Sequence, residues 1–68
     1  MTRLRINGEE TDIAVSTVAE LLNARGIDPN ARFLAVAING TVVRRAEWAE
    51  KPLAAGDQVE IVRPLQGG

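Results

Sequence analysis

The chain has no cysteine, no histidine and no tyrosine, and it holds one tryptophan, one phenylalanine and a single lysine, Lys51. Each absence removes a class of chemistry. Without thiols there are no disulfides, thiolate nucleophiles or side-chain persulfides, and without cysteine or histidine the zinc sites built from them are excluded. Only Phe33 and Trp48 are available to stack on bases, and eight basic residues stand against nine acidic ones for a net charge of −1. Nucleic acid is therefore a poor partner. Long apolar runs are missing as well. Arg3 and Arg5 interrupt the first apolar positions, and no stretch nears the roughly eighteen residues of a membrane span. Neither a signal peptide nor a span is expected, which makes a cytoplasmic protein the default. Sixty-eight residues allow one domain, of whose unfolded surface roughly 60% is buried on folding. A stability of about 3 to 10 kcal/mol follows from that length. No material is left for a deep cleft, so a self-sufficient enzyme is not expected.

What is present is a clear alternation of periods. Leu4 and Ile6 alternate with Arg3 and Arg5, Asn7-Gly8 intervenes, and Thr11, Ile13 and Val15 resume a period of two. This is the pattern of a hairpin with a type I′ turn, unless Glu9 lengthens the loop. Thr17 stands three residues before Glu20, the spacing of a capping box, and Val18, Leu21 and Leu22 follow at helical spacing. Gly26 is placed to take the left-handed position that stops the helix, with Ile27 folding back on Leu22 and Asp28-Pro29-Asn30 preventing continuation. The predicted helix spans about residues 18 to 25. Strand character returns from Phe33, with Leu34, Val36 and Ile38 on one side and Phe33, Ala35 and Ala37 on the other, and a second Asn-Gly at Asn39-Gly40 ends it. Thr41 to Val43 makes a short partner strand, Ala46 to Ala49 a single helical turn, and Gln58 to Arg63 the last strand with Val59 and Ile61 inward.

The order is hairpin, helix, hairpin, turn, strand. One helix must cover one face of a mixed four- or five-stranded sheet. Because a lone hairpin is marginal, the last strand most economically joins both hairpins by lying between them, parallel to the first. That arrangement is an α+β fold, the β-grasp or ubiquitin-like fold. It is expected to occupy residues 1–64 as a single domain, monomeric when free, followed by a flexible tail at residues 65–68.

The sequence ends in Gly67-Gly68. One reading is a frayed end with no role. The other is chemical: a carboxylate on a tail without side chains threads into a narrow active site that bulkier residues would block. A carboxylate is a poor electrophile and must be activated, most simply as an acyl-adenylate made from ATP, before a nucleophile attacks its carbonyl carbon. If the nucleophile is sulfur, the product is a thiocarboxylate, and a chain without cysteine then carries sulfide.

Five stretches carry a resemblance over nearly the whole chain: Thr17-Val18-Ala19-Glu20-Leu21-Leu22; Ala35-Val36-Ala37-Ile38-Asn39-Gly40; Val43 with Arg45 and Trp48; Gly56-Asp57-Gln58-Val59-Glu60-Ile61; and Gly67-Gly68. In this order and spacing they resemble the ThiS family, the sulfur carriers of thiamine biosynthesis. The resemblance implies that Gly68 is adenylated by an E1-like activating enzyme with ATP as that enzyme's co-substrate, and that no cofactor is held by the chain itself. It further implies that Gly68 becomes a thiocarboxylate with sulfur from a cysteine desulfurase or other persulfide donor, and that the sulfur passes to thiazole synthase. Leu65, Gln66 and Gly67 would be the threaded residues. Pro64-Leu65-Gln66-Gly67-Gly68 is also similar to the end of the molybdopterin-synthase small subunit, whereas Arg45 with Trp48 favours the thiamine carriers. Arg44 departs from them, since they commonly place Pro there. Sulfur supply to molybdopterin synthase, a protein modifier joined to lysines through Gly68, and a plain interaction domain stand as alternatives.

The body offers partner-binding candidates at Phe33, Ala35, Ala37 and Val62, to which Leu65 adds, as an apolar patch on the sheet face away from the helix. A competing reading tucks Phe33 into the core edge. Trp48 is read as a lid on the core, Arg3, Arg5, Arg44 and Arg45 as a solvated face, and Gly56-Asp57 as a turn with too few ligands for a metal.

Overall fold

Two Asn-Gly pairs decide where the chain doubles back. Asn7 and Asn39 have φ of 50° and 52°, and the glycines after them 87° and 85°, the left-handed values that a two-residue type I′ turn requires at both central positions. In the computed structural model, which describes residues 1–63, these turns join β1 (Thr2–Ile6) to β2 (Glu9–Ile13) and β3 (Ala35–Ile38) to β4 (Thr41–Val43). Glu9 is already the first residue of β2, paired with Ile6, so it does not lengthen the first loop. β5 (Gln58–Val62) completes a five-stranded sheet of order β2-β1-β5-β3-β4, parallel to β1 and antiparallel to β3. The short β4 is present, and the sheet is the expected mixed one.

Both asparagines do more than turn the chain. In the parallel ladder the Asn7 amide donates to the Val59 carbonyl at 2.9 Å. There the main chain of β1 leaves for the hairpin, and the Asn7 carboxamide takes over. Its Oδ1 accepts from the Ile61 amide at 2.8 Å and its Nδ2 donates to the Ile61 carbonyl at 3.2 Å. At the other end of β5, Asn39 Oδ1 accepts from the Gln58 amide at 3.0 Å while Nδ2 donates to Asp57 at 3.0 Å. Backbone groups that would otherwise lose a partner inside the sheet are satisfied by side chains.

The helix α1 (Val18–Ala24) begins as its sequence requires. The Glu20 amide donates to Thr17 Oγ1 at 3.2 Å, but the Glu20 carboxylate accepts from Ser16 at 2.7 Å instead of from Thr17, so the box closes one residue earlier than expected. Gly26, with φ of 72°, ends the helix: its amide reaches the Asn23 carbonyl and the Ile27 amide the Leu22 carbonyl. This is a Schellman motif, and buried Ile27 lies over Leu22 as such motifs favour. Arg25 is the C-cap and not the last helical residue.

Val18, Leu21 and Leu22 of α1 are fully buried against Leu4, Ile6, Val36 and Val59 of the central strands. Trp48 closes the core at 3% exposure and donates its indole N–H to the Val43 carbonyl at 2.9 Å. It follows a 3-10 turn at Arg45–Glu47, shorter and one residue earlier than the helical turn expected at Ala46 to Ala49.

Two expectations fail near β3. The strand starts at Ala35, not at Phe33, because Phe33 has φ of 61° and sits in a turn. Nor does Phe33 tuck into the core edge, since it is 79% exposed. The boundary expected at residue 64 and the flexible tail expected at residues 65–68 fall outside the described residues.

Leu22 at full burial sets a test of the core. Leu22→Ala is expected to lose about 2 to 5 kcal/mol in denaturant titration, most of the stability of a chain this short. A loss below about 1 kcal/mol would place Leu22 outside the core.

Candidate functional site

Leu65, Gln66, Gly67 and Gly68 lie outside the described residues, so the site is built from the platform that leads to them. β5 is the middle strand of five. The chain therefore runs toward its C-terminus from the centre of the sheet, with Ile61 fixed on one side by Asn7 and Val62 in register with Ala35 on the other.

Alternation sends every second side chain of each strand to the face away from α1. On β3, β4 and β5 that face carries Ala35 beside Val62, and Ala37 between Glu60 and Val42. Ala35 is exposed, Ala37 half-buried, and Val62 and Val42 are 60% and 71% exposed. Of the four candidates, three thus share one face of adjoining strands. Phe33 stands apart from them in the loop before β3, with its own origin of exposure. Val42 belongs to the same face and was missed, although its alternation with inward Val43 was the signal that would have found it.

The other half of this face is charged and self-neutralising. Arg3 Nε and Nη2 donate to the two Asp12 oxygens at 2.9 and 3.0 Å, a bidentate pair, and Arg5 donates to Glu10 at 3.3 Å. Arg3 also approaches Glu10 at 3.8 Å. A depression of about 510 Å³ beside β1 is lined by Arg3, Arg5, Glu10 and Gln58 among others. Its charged groups are those already paired across the hairpin, so no convergent set of polar atoms is left to orient a ligand. Among the described residues no group of three or more acidic side chains is placed to hold a metal, and Gly56-Asp57 is a turn in which Asp57 accepts from the Ala54 amide.

Arg45 is exposed, as expected, but its guanidinium is engaged. Its guanidinium lies 4.7 Å from the Trp48 ring centroid and donates to the carbonyls of Pro29 and Ala31, the latter at 2.8 Å. Arg and Trp together tie the loop at 28–34 to the turn after β4. Arg44, by contrast, has φ of −68° and ψ of 145°. That is the conformation proline imposes, so the loop keeps its course without the ring. At the far side of the same loop Phe33 takes a left-handed φ that costs a residue with a Cβ about 1 to 2 kcal/mol, and it does so while leaving its ring exposed.

The hydrogen bond from Arg3 lowers the Asp12 pKa from its ordinary 3.8; desolvation opposes it by less, and the charge of Arg3 adds a smaller lowering. A folded-state pKa below the unfolded one makes a contribution that is present above 3.8 and lost as pH falls through the lowered value. Asp12→Asn is expected to melt below the wild type at pH 7 in low salt and to coincide with it at a pH below the lowered value, where Asp12 is protonated in both states. A difference that is the same at both pH values would show that the pair is not its origin.

Set beside known proteins, residues 4–68 match the model of the ThiS family. The chain is 33% identical over 63 residues to the sulfur carrier protein ThiS of Thermus thermophilus, covering 93% of this chain and 95% of that protein. It is 39% identical over 67 residues to a thiazole synthase of Paramagnetospirillum magneticum, covering 97% of this chain but only 20% of that protein. A crystal structure of a thiamine biosynthesis protein, ThiS, from Geobacter metallireducens superposes with a TM-score of 0.80 at 28% identity, over 98% of this chain and all of that one. Its solution structure gives 0.79. The match in sequence covers the strands and helix whose packing is described above, and the match in structure covers the same sheet order, so the chain belongs to the ThiS family, the sulfur carriers of thiamine biosynthesis.

Proposed function

We propose that the chain acts as a passive protein substrate whose Gly68 carboxylate carries the sulfur. An activating enzyme joins that carboxylate to the α-phosphate of ATP and releases pyrophosphate. The terminal sulfur of a persulfide donor then attacks the carbonyl carbon and AMP departs; a thiol of the donor or activating enzyme cleaves the resulting acyl disulfide, forming a disulfide there and freeing the thiocarboxylate, which is presented to thiazole synthase. Every step is on or beyond Gly68, and no side chain of the body acts as acid, base or nucleophile. ATP and a persulfide source are both available in the cytoplasm, where the reaction sequence is proposed to run.

The observation that supports this reading best is the position of β5 in the middle of the sheet, beside the exposed Ala35, Val42 and Val62 and the half-buried Ala37. Ordering a four-residue tail costs about 4 to 8 kcal/mol, with glycine at the expensive end. A tail alone therefore binds poorly, and a body surface next to its origin must supply the affinity. The face formed by Ala35, Ala37 and Val62 is that surface, and small side chains let a partner approach the strands closely. The relative in which a similar region is part of a thiazole synthase favours that enzyme over molybdopterin synthase as the recipient.

Deleting Gly68 is expected to leave the melting temperature unchanged and much of the partner binding intact. It should abolish thiocarboxylate formation, because the new end falls about 3.5 Å short. Intact-mass measurement after incubation with ATP, the activating enzyme and a sulfur source reads the exchange of one oxygen for sulfur. Full conversion of the shortened chain would overturn the terminal-carboxylate mechanism.

Ala37→Glu tests the face. A carboxylate placed beside Glu60 and Val42 is expected to weaken partner binding at least tenfold without unfolding the protein, read by calorimetric titration and thermal melting in parallel. Unchanged binding would retire this face.

A further inference from the structure

Phe33 combines two features that a stable fold avoids. It is the chain's one phenylalanine and is 79% exposed, and it holds a left-handed φ of 61° that glycine or asparagine would adopt with less strain. Strain that persists does so because its surroundings over-determine it, and it gathers at sites of function. The surroundings here are specific. Arg45, stacked on Trp48, donates to the carbonyls of Pro29 and Ala31. Asp28 closes the loop on itself, its carbonyl accepting from Ala31 at 3.0 Å and its carboxylate from Asn30 at 2.9 Å. On the other side of Phe33, Leu34 is buried and β3 begins. The exposed ring is thus carried by a loop pinned at both ends.

Three arginines share this end of the sheet, while the one acidic residue of the loop, Asp28, is engaged with the Asn30 amide. Arg32 precedes Phe33, Arg63 follows the Val62 that pairs with Ala35, and Arg44 follows the Val43 that pairs with Val36, so all three lie at the end of the sheet from which the C-terminal segment departs. None makes an ion pair among the described residues, in contrast to Arg3 and Arg5. An exposed aromatic on a pinned loop, at the end of the sheet that also carries these arginines, has the form of an anchor residue, since such residues dominate binding when a partner pocket encloses them.

We propose that Phe33 is the anchor by which this chain docks on thiazole synthase, entering an apolar socket rimmed with carboxylates, and that Arg45 with Trp48 is the positioning pair that holds it there. The inference rests on thiazole synthase being the recipient. That enzyme is chosen because one relative unites a region like this one with a thiazole synthase in a single protein. The Arg45 and Trp48 pair would then act through the loop and not by touching the partner.

The test is calorimetric titration of the full chain into thiazole synthase, with thermal melting of each variant. Phe33→Gly suits the backbone at φ of 61°, so its melting temperature is expected to equal or exceed that of the wild type. Its Kd is expected to rise at least thirtyfold. Arg45→Met keeps an apolar stem over Trp48 and loses both carbonyl bonds; it should raise Kd about tenfold in the wild-type background and leave it unchanged in the Phe33→Gly background. A purely structural role for Arg45 would weaken binding equally in both backgrounds and overturn the positioning claim. Arg44→Glu is expected to weaken binding about tenfold at low salt and little at high salt; equal binding at low salt would remove the acidic rim. If the wild type binds and Phe33→Gly binds within threefold of it, the anchor is wrong while the sulfur-carrier reading stands. If the wild type itself does not bind thiazole synthase, both fall.

Discussion

The parallel pairing of β1 with β5 is the contact on which everything else depends. Each hairpin is too small to stand in water alone, and β5 is the strand that makes one sheet of the two. Only two residue pairs, Arg5 with Gln58 and Ile6 with Val59, are in regular parallel register. The Asn7 carboxamide extends that short ladder to Ile61 across 54 residues of sequence. Loop closure over such a distance is unfavourable until the core forms with it. The bond is thus coupled to the burial of Leu4, Ile6 and Val59 on the inner face.

A central last strand also bears on the proposed docking face. The face away from α1 divides along β5 into two halves of opposite character. On the β1 and β2 side the outward charges satisfy one another. On the β3 and β4 side the outward residues are small or apolar, apart from Glu60. A face neutralised internally gains little from a partner, since exposed pairs already screened by water have small energies to exchange. An apolar face of short side chains gains from losing its water. The two halves differ because the hairpins differ in sequence, with Arg and Glu or Asp outward in one and Ala and Val outward in the other.

Arg45 and Trp48 serve two ends at once. The indole seals the core and is held by the Val43 carbonyl, while its ring face carries the guanidinium that ties down the loop at 28–34. Core and loop are therefore linked through one residue pair, and the conformation at Arg44 suits proline as well as arginine. The strained backbone at Phe33 is the local counterpart of that tie, because a loop free to relax would not hold it.

The elements themselves were legible in the chain. Asn-Gly at two places, Thr17 before Glu20, and Gly26 after a helical spacing each act within a few residues, and nearest neighbours are enough to set their φ and ψ. Strand order followed as well, because a helix and two hairpins leave one economical place for a last strand. The family pattern pointed to the sulfur carriers of thiamine biosynthesis without any coordinates. What the sequence did not disclose were bonds between distant residues. The amide groups of Asn7 and Asn39 read only as turn formers until β5 was placed against them. The bonds of Arg45 to the Pro29 and Ala31 carbonyls existed only once the fold had brought the loop at 28–34 against its guanidinium. Phe33 read as a strand residue, since its neighbours alternate apolar positions, and only the pinned loop turns it to a left-handed φ and into solvent. Local pattern determines which element forms. A side chain's bond to a backbone tens of residues away exists only once the sheet has brought the two together, and that was left to the tertiary structure.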